Sequence, residues 1–356
     1  MARGDEYYDN AEADGGVHAG QRSAPPEPEQ EELSSVPDAR LTDLLRADIR
    51  TVRPALRELR SRHRPAVLSY ARLCTVDEAA ARRLMATAFG LAAGETARGL
   101  EPRTPWRHQL LLLACRVAAE WSADERAARL DPGLLTRLHE TTGADGPVPP
   151  MLAAFLELPT RVQGLVWYGI VDAESEADTA RYLGVTPEDV AYGMEGAFQA
   201  LRHSVLKTRL AGSGDPRCQD FHRLIEEAVH PERPRHSADL DAHMADCPHC
   251  ATGYEELAAL RDTPQAALAE GLLPWGGTAY AMSGGAASEG RPEARTTTEQ
   301  AESTAAWWSP SAWWPSRRFV LASAALGVAV IPLLIFLLTP GDSGSQDPAG
   351  AVDTPT

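Results

Sequence analysis

His243-Met-Ala-Asp-Cys247-Pro-His-Cys250 follows Cys218 in the spacing C-x24-H-x3-C-x2-C. Three thiolates and one imidazole form a closed set of four ligands, which suits a structural, tetrahedral Zn²⁺ ion. His243 and Cys247 are one helical turn apart, so a helix would present both side chains on the same side. The pattern therefore predicts a structural zinc site at Cys218, His243, Cys247 and Cys250. Thiolate ligands can also be oxidised, so a redox-sensing role of the zinc stays open.

Apolar residues at helical spacing surround this motif and predict short helices. Pro231 and Pro234 would separate two of these helices, because proline interrupts the backbone hydrogen bonds of a helix. Residues 215–262 form a unit too small to hold a large core, so the metal would supply the missing stability. The apolar faces contain Phe221, Leu224, Ile225 and Val229, then Leu240 and Met244, and finally Tyr254, Leu257 and Leu260.

The segment from Cys218 to Leu260 resembles the zinc-binding anti-sigma domain of bacteria, through its four ligands in that order and spacing. The resemblance implies that the unit wraps around a sigma factor and covers its polymerase-binding surface. It also implies that the zinc is structural or redox-sensing and not catalytic. The motif itself contains no general base and leaves no coordination position open for a substrate.

Residues 41–135 carry apolar stripes that predict helices, and taken alone they would fit a generic helical bundle. Within them, HRPAVLSYARLCTVDEAAARRLMATAFGLA, residues 63–92, resembles region 2 of an extracytoplasmic-function sigma factor. The helix from Trp106 to Trp121, followed by Arg126 and Arg129, resembles the end of that region that reads the promoter. Cys74 and Cys115 lie in these apolar runs, and we expect both to be small core residues.

After a linker predicted at residues 136–150, residues 151–212 resemble region 4 of the same family, which contains a helix-turn-helix. Gly184 can adopt the positive φ that the turn requires. Thr186 would cap the second helix, with Pro187 at its first position and Asp189 at its third. The resemblance therefore implies a DNA-recognition helix that starts at Pro187.

Two surfaces depart from the family pattern. The positions that meet the core polymerase in sigma factors are Arg82, Arg83, Ala86 and Thr87 here, so two expected carboxylates are replaced by guanidinium groups. The recognition helix begins with acidic residues, although helices in the major groove normally bring basic side chains to phosphates and base edges. Promoter binding is therefore doubtful. The basic residues that the resemblance would bring to DNA are Arg103, Arg107, Arg126, Arg129, Arg202 and Lys207. For each of the first four, taken singly, a solvated helix face is the favoured interpretation.

The two ends of the chain differ from its middle in composition. Residues 1–40 are acidic and poor in large apolar side chains, which predicts disorder. Residues 263–316 are rich in Ala, Gly, Ser, Thr and Pro, which predicts a flexible linker. The net charge of −16 gives no general attraction to nucleic acid.

A membrane anchor is predicted at residues 317–340. The run from Phe319 to Thr339 has no charged residue, and at about 1.5 Å per residue it would cross a bilayer core of about 30 Å. Arg317 and Arg318 precede it and only aspartates follow, so the positive-inside rule places residues 341–356 outside the bacterial plasma membrane and the N-terminal bulk in the cytoplasm.

Together these features predict an all-α chain: two sigma-like helical domains, a small zinc-bound helical domain and a single transmembrane helix. The predicted function is that of a membrane-anchored transcription regulator, a sigma-like protein that its own zinc domain inhibits in cis. In the alternative, the sigma-like domains no longer bind polymerase or promoter, and the protein sequesters another sigma factor or regulator. The sequence has no P-loop, nucleophile elbow or catalytic metal motif, so we do not expect an enzyme.

Overall fold

A computed structural model describes residues 33–141 and 148–284, and this part of the chain is mostly helical, which confirms the all-α fold class. The β pairing seen in these ranges is a single bridge between Thr75 and Leu130. None of the described helices is both long and apolar enough to cross a membrane. The predicted span at residues 317–340, the external tail and most of the predicted disordered segment lie outside the described residues.

The first bundle, residues 38–140, surrounds the long helix α2. The Asp77 side chain accepts a hydrogen bond from the backbone N–H of Ala80 and so caps α3. The last helix continues to Glu140 with Leu138 buried, so the linker predicted from residue 136 is wrong in its first residues. The helices are α1 (Asp38–Leu44), α2 (Ile49–Cys74), α3 (Glu78–Ala97), α4 (Trp106–Trp121) and α5 (Pro132–Glu140), with a 3-10 turn at Glu125–Arg129.

The second bundle, residues 152–211, contains two helices joined by a tight turn at Gly184, where the sequence predicts a turn. Gly184 has a φ of 68°, and a Cβ at this position would lie 2.9 Å from the ring of Pro37, so both conformation and space require glycine. The Thr186 hydroxyl accepts from the Asp189 N–H, and Pro187 begins the next helix, as predicted. The elements are α6 (Leu152–Leu156), α7 (Thr160–Gly164), a π-helical turn (Leu165–Val171), α8 (Glu176–Leu183) and α9 (Pro187–Ala211).

The metal unit, residues 217–262, packs against α9. Gly253 permits this close approach, since a Cβ there would lie 3.0 Å from Leu206 Cδ1. The predicted apolar faces point inwards, with Ile225, Val229 and Leu257 fully buried. Its helices are α10 (Arg217–Asp220), α11 (His222–Ala228), α12 (Ala238–Asp246) and α13 (Pro248–Asp262).

Residues 264–282, which we call the strap, form two further helices, α14 (Pro264–Leu272) and α15 (Gly277–Met282). Leu268, Leu272 and Tyr280 are fully buried. The flexible linker predicted from residue 263 is therefore wrong for this segment. Its small residues resemble a linker in composition, but its few large apolar side chains are spaced to form one buried face.

Hydrogen bonds join the strap to both bundles. In the first bundle, Tyr70 donates to the carbonyl of Trp275 at 2.8 Å, and His108 Nε2 lies 2.9 Å from the carbonyl of Leu272. In the second bundle, the Met151 N–H donates to the Gly271 carbonyl at 3.0 Å. The strap is therefore part of the interior where the two bundles meet.

His108 makes this contact sensitive to acid. Its ring stacks on Trp167 with a centroid distance of 4.0 Å, and burial lowers the pKa of His108 from 6.5 to about 4. Nε2 donates to Leu272, so a second proton would go to Nδ1, which has no hydrogen-bond partner and is buried. As the pH falls below 6.5, the unfolded chain takes up this proton first, and stability is lost down to about pH 4.

We predict that His108→Gln removes part of the acid sensitivity. The glutamine amide can still donate to Leu272 but does not titrate. Between pH 7.5 and pH 5, urea unfolding should show wild type losing about 2 kcal/mol more than the variant. Asp172, whose pKa is raised to about 6 by burial, acts in the opposite direction but equally in both proteins. Parallel pH profiles of the two proteins would contradict the prediction.

Candidate functional site

The four predicted ligands lie together in the metal unit. Cys218 Sγ is 3.6 Å from His243 Nε2 and 3.5 Å from Cys247 Sγ, and one donor atom from each of the four residues lies within 4.8 Å of all the others. Cys218 and Cys250 are fully buried, whereas His243 and Cys247 are half-buried. The group can therefore hold a metal ion near the surface of a small apolar core.

Local structure brings these side chains to one point. Ser237 caps α12 by accepting from the Leu240 N–H, and α12 carries His243. The Cys247 N–H donates to the His243 carbonyl at 2.9 Å, so the predicted separation of one helical turn is correct. Pro248 then starts α13 and places Cys250 in its first turn. The Phe221 ring stacks on His243 at 4.2 Å and fixes the imidazole plane.

The distances fit a tetrahedral metal ion and not a disulfide. Metal–sulfur bonds of about 2.3 Å and metal–nitrogen bonds of about 2.0 Å place two sulfurs about 3.8 Å apart, and a sulfur and a nitrogen about 3.5 Å apart. A disulfide would need about 2.05 Å, and all three cysteines are free thiols. Burial, together with the neighbouring sulfurs, raises the pKa of Cys250, so a bound cation would be needed to favour its thiolate.

The positions expected to meet core polymerase share one surface. Arg82, Arg83, Ala86 and Thr87 are all exposed on α3. Arg82 Nε lies 3.0 Å from Glu78 Oε1 at the start of the same helix. The side chains are therefore accessible, and the surface that they form is basic next to one acidic residue.

The residues expected to approach DNA do not behave alike. Arg103 and Lys207 are exposed, whereas Arg126 and Arg129 are half-buried and Arg202 is buried. Arg126 Nη2 lies 2.6 Å from Asp124 Oδ2, so its guanidinium is already in an ion pair. Arg107 is fully buried, so its predicted role as a DNA contact is wrong for this conformation.

Arg107 is instead the centre of a buried network that the sequence did not reveal. Its Nη1 lies 2.9 Å from Asp172 Oδ2 and 2.5 Å from Glu174 Oε1, both in the second bundle. Tyr280 of the strap donates to the other oxygen of Asp172 at 2.6 Å. Despite burial, the two carboxylates hold the pKa of Arg107 well above its usual range. One ion pair therefore joins the first bundle, the second bundle and the strap.

The network continues into α2 and α1. Arg107 Nε donates to His63 Nδ1 at 3.2 Å, and His63 Nε2 lies 2.9 Å from Asp38 Oδ2. Asp38 also accepts from Arg62 at 2.9 Å and from Tyr168 at 3.1 Å. Removing one member of such a pair leaves a buried charge uncompensated, which costs about 3 to 5 kcal/mol.

No protein-family model, curated protein or solved structure matches this chain. The assignment of function therefore depends on the residues and their geometry.

We predict that Cys250→Ser abolishes metal binding and unfolds the metal unit. Serine supplies no thiolate, and the unit has too small a core to remain folded without the ion. Elemental analysis should find loss of the metal, and circular dichroism should find loss of helix. Cys115→Ala, which also removes a buried thiol but lies in α4, is the matched control and should keep the metal. Unchanged metal content and helicity in Cys250→Ser would refute the structural role.

A second prediction concerns Tyr280→Phe. Loss of the hydroxyl leaves one oxygen of the buried Asp172 without its hydrogen bond, which should lower the free energy of unfolding by about 1 to 3 kcal/mol. Tyr192→Phe makes the same change on a side chain that is 93% exposed and should have no effect. Equal stability of the two variants in urea unfolding would mean that the Tyr280–Asp172 contact is not formed in solution.

Proposed function

We propose that this protein is a membrane-anchored bacterial transcription regulator, a sigma-like protein held inactive by its own C-terminal half. The observation that carries the proposal is the strap, which closes on both bundles through Tyr280, His108 and Met151. A sigma factor needs its two domains free to contact polymerase and promoter. A segment that fastens them together is therefore what an inhibitor acting in cis would require.

Two basic residues that could contact DNA are instead paired within the chain, which supports the same proposal. Arg107 is paired with Asp172 and Glu174, the two carboxylates of the second bundle. Arg209, near the end of the proposed recognition helix α9, pairs with Glu256 of the metal unit. Phosphate contacts supply most of the non-specific affinity for DNA, so these pairs would have to open before the chain binds a promoter.

In this proposal the metal is a structural Zn²⁺. Three thiolates and an imidazole in a closed site are the donors that zinc prefers, and they leave no position for a substrate. The zinc would keep α13 folded against α9. Because the inhibitor and its target share one chain, their effective concentration would be of millimolar order. Release would then need a trigger that acts on the zinc unit or on the strap, such as thiolate oxidation or proteolysis.

The alternative proposal is an interaction protein that has lost sigma activity. Two features favour it. Arg82 and Arg83 are exposed where sigma factors carry carboxylates, and a like-charge contact with polymerase would cost several kcal/mol. The first turn of α9 offers Glu188 and Asp189 and no basic residue. In that case the metal unit would capture another sigma factor or regulator at the membrane.

A variant that opens the strap distinguishes the two proposals. Leu272→Asp places a carboxylate at a fully buried position of the strap, and Met282→Asp makes the same change at a position 82% exposed. Each full-length protein, kept in detergent for the proposed membrane span, is mixed with purified core RNA polymerase and binding is measured by co-elution. If inhibition occurs in cis, Leu272→Asp should bind core at least tenfold more tightly than wild type and Met282→Asp.

Retention of the zinc would show that Leu272→Asp is still folded around its metal unit. Strong core binding by wild type would overturn inhibition in cis. Absence of binding by every variant would favour the interaction protein over the sigma-like regulator.

A further inference from the structure

A second group of donor atoms lies where the metal unit meets the second bundle. His203 is on α9, and His222 and Glu226 are one turn apart on α11. His203 Nδ1 is 3.3 Å from Glu226 Oε1, and His222 Nδ1 is 3.6 Å from Glu226 Oε2. One donor atom from each of the three residues lies within 4.8 Å of the other two. We propose that these three side chains form a second metal site, separate from the cysteine site.

The spacing suits coordination by one ion. Nitrogen and oxygen ligands at about 2.0 to 2.2 Å from a tetrahedral ion lie about 3.4 Å from each other. The two observed nitrogen–oxygen distances are 3.3 and 3.6 Å. The imidazole rings are 4.6 Å apart and tilted by 60°, so they converge on the carboxylate from different directions and do not stack face to face.

Exposure and charge also suit a metal site. The side chain of His222 is 17% exposed, that of Glu226 40% and that of His203 61%. His222 is therefore mostly buried, whereas Glu226 and His203 are open to water. Burial lowers the pKa of His222, although Glu226 opposes this effect. The guanidinium of Arg202, which precedes His203 in the sequence, interacts electrostatically with the Glu226 carboxylate.

The donor set specifies the class of metal. Two imidazoles and one carboxylate, without sulfur, suit borderline divalent ions such as Zn²⁺, Co²⁺ and Ni²⁺ over the all-oxygen ions Mg²⁺ and Ca²⁺. Three protein ligands leave at least one position for water, unlike the closed cysteine site. An ion here would join α11 to α9 and so fasten the metal unit to the second bundle.

Cobalt binding to the full-length protein tests the proposal, because the two sites have different spectra. Co²⁺ bound by thiolates absorbs strongly in the near ultraviolet, whereas Co²⁺ bound only by nitrogen and oxygen does not. We expect wild type to bind two equivalents of Co²⁺, of which only one produces the thiolate band. Elemental analysis after equilibrium dialysis against Zn²⁺ should likewise find two ions per chain.

His203→Ala and Glu226→Gln should each reduce the number of bound ions to one, or weaken the second ion at least tenfold, while the thiolate band keeps its full intensity. His203 is largely exposed, so its replacement should not unfold the protein. His236→Ala is the matched control, since His236 is an exposed histidine in the loop between α11 and α12, and it should bind like wild type.

A wild type that binds a single ion, or a His203→Ala variant that still binds two with unchanged affinity, would overturn the proposal. In either case the three side chains would be only hydrogen-bonded to one another. The readouts do not involve polymerase, so this result is independent of the function proposed above.

Discussion

The buried ion pair between Arg107 and Asp172 is the contact on which the arrangement of the described chain depends. Its guanidinium comes from α4, its carboxylate follows the π-helical turn, and the hydroxyl that completes it comes from α15. Burying charges away from water costs free energy, which a close partner of opposite charge and its hydrogen bonds offset. Separating the two bundles would leave charges unpaired in the interior, and moving the strap would leave Asp172 without the Tyr280 hydroxyl. The network therefore couples the two bundles and the strap.

The metal unit and the strap stabilise the chain in different ways. The metal unit has few large buried side chains, and a metal ion bound by its four candidate ligands would help to hold its helices together. The strap has no such ligand set and depends on a face of Leu268, Leu272 and Tyr280 that is fully buried against the bundles. The first would be sensitive to chelation and oxidation, and the second to substitutions that place polar groups inside. The two elements would therefore respond to different chemical changes.

Patterns local in sequence were the ones that could be predicted. The ligands Cys218, His243, Cys247 and Cys250 converge as their spacing indicates, and the turn at Gly184 and the cap at Thr186 form as expected. Each depends on a few neighbouring residues or on one metal geometry. The strap was missed because composition averaged over residues 263–316 hid the spacing of its apolar side chains. The role of Arg107 was missed because Asp172 and Tyr280 are distant in sequence, and their pairing depends on tertiary packing.

Thr263 joins the metal unit directly to the strap. This residue ends α13 and also precedes the first residue of α14, so no loop separates the helix that carries Cys250 from the helix that enters the strap. The stabilities of the two elements are therefore coupled, and the coupling acts in both directions because thermodynamic linkage is reciprocal. Loss of an ion from the cysteine site would destabilise the first turn of the strap. Displacement of the strap would in turn lower the affinity of the cysteine site for its ion. The affinity of the cysteine site for a metal ion would therefore report how stably the strap packs against the bundles.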